Sequence, residues 1–291
     1  MFVSKNTVAA CLDYMKERLS PRFSESEIRV IQHLAFEKRL GFSRSDLMLN
    51  KTEGLSESDL LFFRDVVKRL LNDEPLQYII GDTEFFGLRL KVDKRALIPR
   101  PETEELVHQI VNKRDGYEGL RILDLCTGSG CIALSLKSAF PTAEVVGVDS
   151  EEGALELAKE NAISTGLEVA FHQVDVLKWR ESKVLKDAKW DIIVSNPPYI
   201  PLRDKQDMCT NVLSFEPHVA LFVEDDDPVI FYREIAAYAS TSLLSGGLLG
   251  FEIHEDLAQE TVKQVQEHKF IHVSVLTDLQ EKERMVFAEN A

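Results

Sequence analysis

The chain has 291 residues, 44% of them hydrophobic and 29% charged, with a formal net charge of −15. That size suits two domains with a large buried core. With no apolar run near the roughly 18 residues that span a bilayer, and no leader pattern in "MFVSKNTVAACLDYMKERL", it reads as a cytoplasmic protein with no membrane partner. The acidity is uneven: residues 1–75 carry 12 Lys and Arg against 12 Asp and Glu, and residues 76–291 carry 22 against 37. That balance disfavours direct nucleic-acid binding, which draws most of its affinity from cationic contacts.

Residues 1–75 read as a small helical bundle. "SESE" (24–27) is a capping box leading into Ile28, Ile31 and Ala35 at helical spacing, and "SESD" (56–59) leads into Leu60, Phe63, Val67 and Leu70 on one face. Gly41 and "NDEP" (72–75) end helices. Residues 76–100 read as an apolar β-hairpin linker, from the alternation in "LRLKV" and the glycines at 81 and 87. Residues 101–291 alternate strands and helices. Strands are expected at "RILDL" (121–125), "EVVGVD" (144–149), "VAFHQVD" (169–175), "WDIIVSN" (190–196), "GLLGFEI" (247–253), "HVSVLTD" (272–278) and "RMVFAEN" (284–290). Near-continuous apolar strands between helices predict a doubly wound, mainly parallel, seven-stranded α/β sheet of Rossmann-like type, with its ligand at the carboxyl ends of the strands.

Three strand ends carry candidate nucleoside contacts. "LDLCTGSGCIAL" (123–134) places Gly128 and Gly130 where a ligand can approach backbone amides at a helix N-terminus. Asp149 ends the second strand, where a carboxylate can take both hydroxyls of a ribose, and Asp175 and Val176 follow the third beside an adenine edge. These features suit NAD and S-adenosylmethionine alike. The fourth strand ends in "SNPPYIP" (195–201), which hydride transfer does not use but methylation of a planar nitrogen does. Such a nitrogen has its lone pair delocalised, so it needs positioning and acceptors for its protons. The Asn196 side-chain oxygen and the Pro197 carbonyl, stiffened by Pro198, supply two acceptors, and Tyr199 offers a ring to stack on a flat group. No metal is expected, since Cys11, Cys126, Cys131 and Cys209 form no C-x-x-C pair and His254-Glu255 lacks a second histidine.

"LDLCTGSG", "NPPYIP", "FEPHVAL" (215–221) and "LIPRPETEELV" (97–107) together resemble the bacterial peptide-chain release factor glutamine methyltransferase family, also called HemK. The resemblance covers nearly the whole chain, with its motifs in residues 76–291. It implies methyl transfer from S-adenosylmethionine, leaving S-adenosylhomocysteine, to the side-chain nitrogen (N5) of the glutamine in a Gly-Gly-Gln loop of release factors. By the same resemblance Cys126, Thr127, Gly128, Ser129 and Gly130 line the methionine part of the cofactor. Asp149 holds the ribose, Val176 sits by the adenine, and Asn196, which also borders the cofactor, clamps the glutamine with Pro197, Pro198 and Tyr199. Apart from the resemblance, the charge-neutral residues 1–75 show no chemistry of their own and are the candidate docking domain for the protein substrate. Cys126 stands where the family often has glycine, and Val176 where some members have an aromatic. Arg100 and Glu102 are placed beside the site without a role, and Glu216 is open between structure and function. Glutamine methylation of a ribosomal protein uses the same site chemistry. Amino-methylation of adenine or cytosine in nucleic acid conflicts with the acidic domain, an NAD-linked oxidoreductase leaves "NPPY" unexplained, and a catalytically dead binding module would have lost the acceptors or glycines that are present here.

Overall fold

Three serine-led capping boxes start helices early in the chain. In the computed structural model, which describes residues 5–291, α1 spans Val8–Leu19, α2 Glu25–Leu40, α3 Arg44–Leu49, α4 Glu57–Leu71 and α5 Leu76–Ile80. Ser24, Ser43 and Ser56 each accept from the amide three residues on, while Glu27, Asp46 and Asp59 return the bond, so two orphan donors are satisfied at each start. The apolar faces meet in one core built on Val8, Met15, Phe36 and Phe63. The chain divides into two compact units, the first comprising residues up to Gly81 together with Cys209–Phe215 and the second Asp82–Met208 with Glu216–Ala291. The hairpin predicted for residues 76–100 forms over 82–91, as β1 (Asp82–Phe85) and β2 (Leu88–Lys91). Leu76–Ile80 is instead a helical turn, which Gly81 closes in the left-handed conformation.

The second unit continues with α6 (Pro101–Lys113), β3 (Arg121–Leu125), α7 (Cys131–Ala139), β4 (Glu144–Asp149), α8 (Glu152–Thr165), β5 (Ala170–Gln173), β6 (Trp190–Ser195) and β7 (Ile200–Pro201). After α9 (Thr210–Phe215), which groups with the first unit, come β8 (Phe222–Val223), α10 (Ile230–Ser242), β9 (Leu243–Glu252), α11 (Ala258–Glu267), β10 (Ile271–Thr277) and β11 (Glu283–Glu289). Seven strands form one sheet in the order β10-β11-β9-β6-β3-β4-β5. All pairs are parallel except those of β11 with β9 and β10, as the apolar strand pattern predicts. Alternate residues of each strand face opposite layers. Leu123, Leu125, Ile193 and Leu249 pack with α10 and α11, while Ile122, Ile192, Val194 and Leu248 pack with α6, α7 and α8.

The chain winds outward from β3 through β4 to β5, then returns to the other side of β3 as β6. The reversal between β3 and β6 is the place where such sheets open a crevice at their carboxyl ends.

Candidate active site

Sheet register sets the site. Val148 pairs with Leu125, Leu125 with Ser195, and Ser195 with Phe251. The next residue on each strand, Asp149, Cys126, Asn196 and Glu252, therefore falls in one row across four adjacent strand ends. The Ser195 hydroxyl donates to the Leu125 carbonyl at 2.7 Å, locking the two central strands at the reversal.

A cavity of about 360 Å³ opens over this row, within the range of small-molecule sites. Cys126, Thr127, Gly128, Ser129, Asp149, Asp175, Val176, Asn196 and Pro198 all line it. Gly130, Pro197 and Tyr199 are not among the lining residues. Gly130, at φ +80°, caps α7 instead; a Cβ there would lie 3.1 Å from Ala158 Cβ and 3.2 Å from the Phe171 ring, so glycine permits close helix packing.

The turn after β3 leaves the strand through Cys126 at φ +60°, followed by Gly128 at +55°. The left-handed conformation is one that glycine adopts freely, and a Cβ there costs about 1–2 kcal/mol. The turn is held from two sides. Asp149 Oδ2 accepts from the Gly128 amide at 2.8 Å and its Oδ1 from Glu151 at 3.0 Å, leaving lone pairs on both oxygens for further donors. Asp124, fully buried, accepts from Thr127 Oγ1 at 2.5 Å and from the Ala133 amide at 3.1 Å. Burial pushes its carboxyl up to about 7, against the effect of those two donors. Asp149 is also raised, chiefly by burial. Asn161 of α8 ties the turn to the hairpin, donating to the carbonyls of Ser129 and Lys91 and accepting from the Lys91 amide.

Asn196 donates its Nδ2 to Thr103 Oγ1 at 3.0 Å, which assigns the side-chain oxygen as the group free to accept. Thr103 donates in turn to Glu252 Oε2 at 2.5 Å, and the Tyr199 hydroxyl donates to Glu252 Oε1 at 3.0 Å. Burial raises the Glu252 carboxyl, opposed by the Thr103 and Tyr199 hydrogen bonds and the nearby Arg284. The Tyr199 ring meets His254 edge-on at 6.1 Å.

The remaining walls unite the other two stretches. Ala96, Leu97, Ile98, Pro99 and Arg100 line one side, and Pro217, Val219 and Ala220 another. Glu216 joins them, its carboxylate accepting from Arg100 Nη2 at 2.5 Å and from the Ile98 amide at 3.1 Å while 4% exposed. Glu216 thus braces this wall, with Arg100 as its counter-ion. Glu102 is half-buried next to Thr103 and acts electrostatically to raise the Glu252 carboxyl.

Sequence reading had missed Thr103, Glu252 and Phe231. Thr103 lies inside the quoted "PETE" stretch, but its inward direction depends on where α6 packs. Glu252 was signalled by an acid in the apolar run "GLLGFEI", a costly choice unless it is used. Phe231 of α10 lines the cavity and supplies an aromatic ring that Val176 does not; a helical Phe reads from sequence as core.

The lining fits an adenosylated cation. Val174, Val176, Leu177, Ala220 and Phe231 give an apolar slot, while Asp149, Glu151 and Asp175 give acceptors and negative charge. The two lining arginines are already paired, Arg95 with Asp93 and Glu160 and Arg100 with Glu216. Among the described residues no helix is long and apolar enough to cross a membrane.

Residues 117–284 match the family model described as a methyltransferase domain, and residues 10–81 match the PrmC N-terminal domain. The chain is 38% identical over 273 residues to the release factor glutamine methyltransferase of Flavobacterium psychrophilum, covering 93% of this chain and 94% of that protein. It is 37% identical over 275 residues to the enzyme of the same name from Bacteroides thetaiotaomicron, covering 94% and 97%. A Thermus thermophilus 16S rRNA N2 G1207 methyltransferase, solved with AdoMet and guanosine, superposes with a TM-score of 0.52 at 20% identity, over 72% of this chain and 50% of that one. That likeness is one of fold, the Rossmann-like methyltransferase sheet.

Proposed function

This chain belongs to the family of release factor glutamine methyltransferases, and from that premise we propose that it transfers a methyl group from S-adenosylmethionine to the side-chain amide nitrogen of the glutamine in the Gly-Gly-Gln loop of peptide-chain release factors. The observation that carries most weight is the bond from Asn196 Nδ2 to Thr103, which leaves the oxygen of this cavity-lining side chain as the end available to accept.

In this reading Asp149 binds the ribose hydroxyls, the slot around Val176 and Phe231 takes the adenine, and the turn from Cys126 to Ser129 borders the methionine part. When bound, the cofactor supplies an electrophilic methyl group on a sulfonium. Asn196 Oδ1 and the Pro197 carbonyl each accept one N–H of the glutamine carboxamide, aiming the nitrogen and favouring the positive charge that develops on it. Pro198 restricts the Pro197 backbone to an extended conformation, and Tyr199, anchored through its hydroxyl, flanks the flat amide. The nitrogen gives up a proton readily once alkylated, so no general base is required. Residues up to Gly81 are proposed to dock the release factor, since they offer a neutral surface and no chemistry of their own.

Incubating the chain with labelled methyl donor and, separately, a release factor, a ribosomal protein and DNA tests the reading. Label on the release-factor glutamine, located by mass spectrometry, is the expected result. Label on the ribosomal protein or DNA alone would refute it.

A further inference from the structure

We infer that Thr103 and Glu252 are positioning residues for turnover, forming a directional hydrogen-bond relay that decides which end of the Asn196 amide faces the substrate. The inference rests on the functional reading above, in which the Asn196 oxygen receives a glutamine N–H.

An asparagine amide has two ends of nearly equal shape and opposite chemistry: the oxygen accepts and the NH₂ donates. If the side chain turned over, a donor would face the donors of the substrate amide and the clamp would repel what it should hold. Shape does not prevent that turn, so hydrogen bonding must. Thr103 Oγ1, 3.0 Å from Asn196 Nδ2, has one proton to give. It gives that proton to Glu252 Oε2 at 2.5 Å, which leaves it only lone pairs to offer Asn196. Glu252 imposes this direction because both its oxygens act as acceptors, Oε2 from Thr103 and Oε1 from Tyr199 at 3.0 Å.

The cost of the arrangement argues for its use. Thr103 is 2% exposed and Glu252 1%, and among the described residues no ion pair to Glu252 is formed; Arg284, which acts on its carboxyl electrostatically, pairs with Asp278 and Glu255. A buried carboxylate without an ion pair is costly to desolvate unless hydrogen bonds satisfy it, and here the donors are Thr103 and Tyr199. The relay also reaches Tyr199, so two members of the "NPPY" stretch are held by one carboxylate carried on the neighbouring strand. The register row explains the reach: Glu252 follows Phe251, the partner of Ser195, as Asn196 follows Ser195.

The test is a kinetic cycle on the full chain with an intact release factor as substrate. Thr103→Val keeps the shape and removes the relay; turnover is expected to fall about 10- to 100-fold, with cofactor Kd and substrate KM within about threefold of wild type. Thr103→Ser, which keeps the hydroxyl, is expected to recover turnover to within about threefold. In an Asn196→Ala background, Thr103→Val is expected to add no further loss, because nothing is left to orient. Wild-type turnover in Thr103→Val would overturn the inference, as would losses that multiply in the double variant. A fall in Tm and cofactor affinity that matches the loss of turnover and that Ser does not repair would mark the role as structural and overturn it too. Failure of the wild-type chain to methylate glutamine at all would overturn both readings, whereas an active wild type with an indifferent Thr103→Val overturns this one alone.

Discussion

The helical unit and the sheet unit bury different things. Among the described residues every buried polar or charged residue lies at Thr103 or beyond, including Asp124, Ser195, Glu216 and Glu252, while the first unit's core is apolar. Three of its serines, Ser24, Ser43 and Ser56, cap helices at the surface. Buried polar groups are costly unless satisfied, and in the sheet unit several of them gather at one edge, around the reversal between β3 and β6. The contrast teaches where selection for chemistry has overridden selection for stability.

The contrast is broken most severely at Asn196. Asn196→Ala is expected to lower turnover by about 100-fold or more, by analogy with removal of one preorganised polar group, while calorimetry shows cofactor binding largely intact. Next in size, Asp149→Ala removes a charged acceptor that also holds the Gly128 amide; cofactor Kd should rise about 10- to 100-fold, the worth of one or two charge-assisted hydrogen bonds. A smaller effect follows from the Asp124 carboxyl. Its proton is retained in the folded chain up to about 7 but is lost near 3.8 once unfolded. Between those values the native state holds more protons, so this group's contribution to stability falls as pH rises. Thermal unfolding should therefore show wild type losing more stability than Asp124→Asn between pH about 4 and about 7; equal losses would refute the assignment. The smallest effect lies in the helical unit, where Ser24→Ala should cost about 1 kcal/mol in denaturant unfolding and leave turnover on a short Gly-Gly-Gln peptide unchanged.

Much of this was legible in the sequence because the signals are local. Capping boxes announce α2 and α4, and apolar runs announce the seven strands within a few residues at each end. Cys126, Asp149 and Asn196 were legible because each ends or directly follows a predicted strand in a sheet whose ligand end is dictated by topology. What was not legible depends on register and packing. That Glu252 stands beside Asn196 follows only from the pairing of Ser195 with Phe251, and that Glu216 braces Ile98 and Arg100 joins residues more than a hundred positions apart. The helical turn at Leu76–Ile80 was missed because its apolar residues look equally like a strand, and the two short strands Ile200–Pro201 and Phe222–Val223 are too brief to leave a pattern.

The most direct test is a crystal structure of the chain with S-adenosylhomocysteine and a Gly-Gly-Gln peptide. The account predicts the glutamine nitrogen about 3 Å from both Asn196 Oδ1 and the Pro197 carbonyl, in line with the cofactor sulfur, with Asn196 Nδ2 still on Thr103. Either oxygen pointing away from that nitrogen would contradict it.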